Sequence, residues 1–168
     1  MDAGKLPWAL DLVAGALAGA ASTAVMDRAG RRMYQLEDPQ VREYEENLRR
    51  SRYPPELAAE KLLRMITGFT PSRNAARRLA QPIHVGLGAA MGAGFAGFSR
   101  RFPASPLLAG LVFGLAMWAL VDELATPAFG LSPPSRRFPW QNHARSLASH
   151  AVFGGTMGVI QGLVRKAA

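Results

Sequence analysis

The sequence predicts an all-α polytopic membrane protein, and three observations carry that prediction. Charge is segregated, since 12 of the 20 Lys and Arg and seven of the 12 Asp and Glu lie between Arg28 and Gln81. The rest of the 168-residue chain is left with only 13 charges, mostly at segment ends. Within it, four apolar segments at about 8–26, 82–98, 106–126 and 147–164 approach the ~20 residues that cross ~30 Å of hydrocarbon. These segments also recur in pairs, which points to four transmembrane helices in two tandem hairpin repeats. The mean hydropathy of +0.02 is therefore the average of two unlike parts.

Composition narrows the function classes. The chain has no Cys, which excludes a disulfide framework and thiolate metal sites. The net charge of +8 would suit nucleic acid or an anionic surface. Acids are interleaved with the bases in the same segment, however, so the sequence reads as having no nucleic-acid partner and a solvated polar loop.

The first segment, 8–26, carries Asp11 near its start and the small-residue motif Gly15-x3-Gly19. Lys5 ahead of an apolar run resembles a secretory signal, but Asp11 inside the run and the repeat described below favour a retained helix. The polar loop, 28–81, contains an amphipathic helix at about Glu56 to Ile66, behind Pro54-Pro55 and ahead of Gly68. It suits the membrane interface or a cap on the bundle. The run Glu43 to Arg50, with acids first and bases later, favours a second short helix. The second segment, 82–98, has His84 as its only ionisable residue, the third ends in Asp122 and Glu123, and the fourth contains only His150.

The duplication is explicit. Gly15-x3-Gly19 precedes Asp27 by the same interval that separates Gly110-x3-Gly114 from Asp122. His84-x3-Gly88-x2-Met91-Gly92 matches His150-x3-Gly154-x2-Met157-Gly158 position for position. Between Asp27 and His84 the first copy holds 29 more residues than the second copy holds between Asp122 and His150. Tandem hairpins keep one orientation, so the halves should be related by an axis along the membrane normal. Gly15, Gly19, Gly88, Gly92, Gly110, Gly114, Gly154, Gly158 and Gly162 read as helix-packing positions, because helices in lipid associate by close backbone approach at small residues.

Topology brings the ionisable residues to one membrane face: Asp27 and His84 from the first hairpin, Asp122, Glu123 and His150 from the second. They are the candidate ion- or proton-binding residues. Four readings fit them: an Asp–His hydrogen bond locking each hairpin, a proton or ion path, a two-His, two-carboxylate metal site, or a bis-His haem. No cofactor is required by the sequence, and the metal stays unknown. His143, in Trp140-Gln141-Asn142-His143, reads as a solvated residue of a polar turn. No catalytic constellation emerges, since Ser149 beside His150 lacks a nucleophile elbow. The chain therefore reads as non-enzymatic. It is a transport or conduction module, or a structural subunit that docks in a homo-oligomer or larger membrane complex. Its orientation stays open, because charge counts favour the long loop as cytoplasmic whereas charge density favours the face of Lys5, Arg100, Arg101, Arg165 and Lys166.

The stretch Pro127-Ala-Phe-Gly130-Leu131-Ser132-Pro133-Pro134, with Phe138-Pro139-Trp140 and His150, resembles the YagU-like family of bacterial inner-membrane proteins. Ser132, Phe138 and Ser149 stand where that family has threonine, leucine and glycine. The resemblance implies a multi-pass protein of the bacterial inner membrane and no particular biochemistry.

Overall fold

The computed structural model describes residues 6–50 and 52–168, so Lys5 lies outside the described residues. The chain is all-α, with α1 (Trp8–Leu36), α2 (Pro39–Arg49), α3 (Pro54–Thr67), α4 (Arg73–Ser99) and α5 (Pro106–Met117) in order. A π-helical stretch, Trp118–Ala125, extends α5 into α6 (Thr126–Ala128), and a 3-10 turn at Ser135–Arg137 leads to α7 (Trp140–Ala167). Among the described residues, three helices are long and apolar enough to cross a membrane: Trp8–Leu36, Pro106–Ala128 and Trp140–Ala167. The chain is thus a multi-pass membrane protein.

The expected second span lies in α4, which has the length but is not among those three. Five glycines and His84 dilute its apolar part. Every long helix also outruns its apolar segment. Ser72 caps α4, its hydroxyl accepting from Ala75 N at 3.3 Å, and the helix runs through Pro82 without ending. The residues at 140–143, expected as a turn, are the first turn of α7.

Direct backbone contact sets the packing. α4 lies antiparallel on α1, and α7 lies antiparallel on both α5 and α1. A methyl group added to Gly15 would overlap Gly92 O, and one on Gly19 would overlap Gly88 O. In the second pair, Gly110 meets Gly154 O, Gly114 meets His150 O, Gly158 meets Pro106 O, and Gly162 abuts the Pro106 ring. Around these seams Ala18, Phe95, Ala109, Phe153 and Met157 form a fully or nearly fully buried core. Phe95 meets Phe113 edge-on at 5.4 Å and joins α4 to α5.

The two seams differ in register. Gly110 occupies the place of Gly19, and Gly114 the place of Thr23, whose hydroxyl sits where a Gly88 side chain would go. The seam between α5 and α7 is displaced by four residues, about 6 Å, from the alignment that sequence spacing implies.

The polar segment is built onto the bundle. Asp38 caps α2 by accepting from Gln40 N at 2.7 Å, and Arg50 closes the helix in the left-handed region at φ 51°. α3 packs on α4 with Ala59 and Ala76 fully buried, while Met65, Ile66 and Phe69 stay exposed beyond it. That exposed apolar end suits the headgroup boundary.

Gly19→Leu and Gly154→Leu force the helices apart and are each expected to cost about 1–3 kcal/mol or more. Gly86→Leu meets open space within 4 Å and is expected to be neutral. Thermal unfolding in one detergent compares all three.

Candidate functional site

Two polar layers close the two ends of the apolar core. On α1 they are marked by Asp11 and Asp27, whose separation of 16 residues corresponds to ~24 Å of helix. That is shorter than ~30 Å of hydrocarbon, so both layers fall at or just inside its edges.

The first layer is an ion cluster around Asp11, whose side chain is 0% exposed. Arg100 at the end of α4 donates through Nε at 2.5 Å, and Arg165 near the end of α7 donates through Nε at 2.9 Å and Nη2 at 2.8 Å. Gln161 adds its amide to Oδ1 at 2.5 Å, and Arg165 also reaches Ala96 O at 3.0 Å. The Arg100 guanidinium lies 5.1 Å over the Trp8 ring. Sequence reading noted Asp11 as a break in an apolar run and missed its role. The available signal was a lone carboxylate inside a span, with Gln161 and two arginines at helix ends that a hairpin arrangement returns to the same face.

The second layer holds the predicted site residues. His84 Nε2 stands 3.2 Å from Asp27 Oδ1, and Gln81 donates to Asp27 Oδ2 at 2.9 Å. Asp27 ends the apolar part of α1, and His84 lies one turn before Gly88 on the helix packed against it, so the glycine seam sets their approach. His150 is arranged differently. Its Nδ1 lies 3.1 Å from Ser146 O and 3.7 Å from Asp122 Oδ2, while the Ser146 hydroxyl donates to that same carboxylate oxygen. The register displacement places Asp122 one turn further along, and the π-helical stretch carries it. Such stretches recur at functional sites. Glu123 turns away from this layer to His143, whose Nδ1 is 2.7 Å from Oε1. His143 therefore lies in the first turn of α7, hydrogen-bonded to Glu123 of the π-helical stretch, rather than solvated in a turn.

Both histidines line one cavity of about 310 Å³ between the hairpins. Thr23, Asp122 and Thr126 supply further polar atoms, and Met26, Met91 and Phe153 supply apolar ones. Two polar hollows reach the same histidines from the loop side. One, about 590 Å³, is lined by Asp27, Tyr34, Glu46 and His84, and the other, about 270 Å³, by Asp27, Asp122, Ser149 and His150. Toward the Asp11 layer, Phe95 and Met157 are fully buried and close the interior. No group of three or more His, Cys, Asp or Glu among the described residues is placed to hold a metal ion.

The loop contributes more to this end than a solvated segment would. Glu45 of α2 is buried, accepting from Arg145 Nη2 at 2.7 Å and Asn142 at 3.2 Å. Arg145 also pairs with Glu37 and lies 4.9 Å over the Tyr34 ring. Burial pulls the Arg49 guanidinium below its usual pKa, with neighbouring Glu45 opposing the shift. None of these pairings follows from sequence spacing, because the partners are about a hundred residues apart.

Asp11→Ala strands two guanidiniums in a partly buried site and is expected to destabilise the protein by about 3–5 kcal/mol. Equilibrium unfolding in mixed micelles measures it, with Lys166→Ala as the neutral control.

The chain matches no protein-family model, no curated protein and no solved structure.

Proposed function

We propose that the chain is a small proton-coupled transport module, built from four spans in two tandem hairpins. Asp27, His84, Asp122 and His150 form its binding layer, and Glu123 supports it through His143. The observation that carries this reading is the position of the two histidines. Each stands between a polar hollow on the loop side and the shared apolar cavity, and each has a carboxylate within 4 Å. Imidazole is the side chain that gains and loses a proton most readily in the physiological range. A group so placed takes a proton from the aqueous side and presents its charge to whatever occupies the cavity. The close-packed glycine seams beyond the cavity give a state open on one side only, as alternating access between repeats requires. The reading extends the YagU-like resemblance of residues 127–150, which favours the bacterial inner membrane.

A second reading rests on a separate observation. Gly86 and Gly94 of α4 face open space, with exposed Ala90 between them. That small-residue face suits a structural subunit docking on a second copy or a larger complex.

Proton movement into proteoliposomes separates the two. The wild type is expected to carry protons, and His84→Ala with His150→Ala to lower the rate roughly tenfold or more. Equal rates in both proteins would exclude the transport reading. Gly86→Leu with Gly94→Leu is expected to leave flux intact, and a loss of assembly in crosslinking instead supports docking.

A further inference from the structure

The cavity between the hairpins also specifies the chemistry of its occupant, an inference that rests on the transport reading above. Its size, about 310 Å³, lies at the lower end of the roughly 300–1,000 Å³ typical of small-molecule sites. That admits a ligand of one ring and a compact head group. The wall is mostly apolar. Leu87 of α4 and Val121 of the π-helical stretch line it while remaining exposed, 50% and 38%, on the outer surface of the bundle. They mark a mouth that opens sideways toward lipid.

The polar part of the wall is biased in one direction. Among the described residues, Asp122 is the only one lining the cavity that is charged at neutral pH with histidine uncharged, and no Lys or Arg lines it. Its carboxylate keeps 38% of its side-chain surface open. Ser146 donates to it, and His150 Nδ1 stands 3.7 Å from its Oδ2. Arg49 does not line the cavity but shares two polar hollows with Asp122 on the loop side, and Arg31, Arg145 and His150 line the second of them.

The two imidazoles add to the bias. His84 places Nε2 against the Asp27 carboxylate, so the hydrogen belongs on Nε2 and Nδ1 carries a lone pair. His150 places Nδ1 against the Ser146 carbonyl, so Nδ1 is the donor and Nε2 carries the lone pair. Each neutral histidine therefore has a free acceptor nitrogen and no free N–H. A ligand recognised only through acceptors, such as a carboxylate or a phosphate, finds among the described side chains no free donor there except the hydroxyl of Thr126, because the Thr23 hydroxyl donates to Gly19 O at 2.9 Å. A positively charged head finds a carboxylate, imidazole lone pairs and the face of Phe153. The thioethers of Met26, Met91 and Met117 give the apolar wall adaptable, polarizable contacts.

We propose that this cavity binds a small lipophilic organic cation, entering from the bilayer between α4 and the π-helical stretch, with its charged head against Asp122 and its apolar body among the methionines. Protonation of His84 and His150 then opposes occupancy by like charge. That competition is the coupling a proton-driven exchanger needs.

Equilibrium dialysis on the full chain in nanodiscs tests this with benzyltrimethylammonium and its uncharged isostere neopentylbenzene. The cation carries a permanent charge, so its own protonation does not vary. Saturable binding of the cation is expected, with the isostere binding about tenfold or more weakly, a comparison that needs no variant. Asp122→Asn is expected to remove the preference for the cation, and Lys166→Ala to leave it unchanged. Equal binding of cation and isostere to the wild type, or an unchanged preference in a folded Asp122→Asn protein, would overturn the proposal. The transport reading fails separately. Histidine-dependent proton flux without cation preference defeats this ligand and leaves the carrier standing. Cation preference without any proton flux keeps the site and removes the carrier.

Discussion

Backbone-to-backbone contact between helices is the constraint on which the other features rest. In a bilayer, apolar side chains are as well solvated by lipid as by another helix, so burial alone does not bring two spans together. Removing the side chain does, because it lets carbonyl oxygens approach the facing backbone at Gly15, Gly19, Gly88 and Gly92, and at Gly110, Gly154 and Gly158. Once those seams are closed, the heights of all other residues follow. Asp27 meets His84 because both lie a set number of turns from one seam. Asp122 meets Ser146 before His150 because the other seam has slipped by one turn. The two halves share a plan without sharing a geometry.

That slip shows where sequence reasoning reaches its limit. The glycine spacing, the repeated His-x3-Gly pattern and the segregation of charge were all visible, because they are periodicities within single helices. Register between helices is not a periodicity. The equal spacing from Gly19 to Asp27 and from Gly114 to Asp122 suggests matched positions, yet the facing helix pairs Gly110 with the role of Gly19. The π-helical stretch from Trp118 to Ala125 is likewise invisible to a pattern that assumes one helical period throughout.

Helix ends were misjudged for a related reason. Apolar content marks where a helix is in lipid, and α1, α4 and α7 continue well past that region. Their polar turns are stabilised by partners distant in sequence, such as Arg145 with Glu37 and Glu45, or Arg77 with Glu56 at 3.3 Å. The segment that carries α2 and α3 therefore does more than connect α1 to α4. It roofs the layer that contains both histidines, which leaves that layer polar on one side and apolar on the other.

The Asp11 cluster has a consequence for biogenesis. Its carboxylate is made 89 residues before Arg100 and 154 residues before Arg165. A charged group held within a membrane span is unfavourable, by about 2.5–3.5 kcal/mol at the centre of the bilayer and less toward its edge. During synthesis the Asp11 charge therefore has no counter-ion until Arg100 follows α4, and it gains its second guanidinium only when the end of α7 is made. A chain truncated before Arg165 keeps its glycine seams available but leaves this carboxylate with one of its two guanidiniums. Copies that lack the end of α7 are thereby chemically distinguishable from those that carry it, and the cluster ties α1 to the two helices made after it.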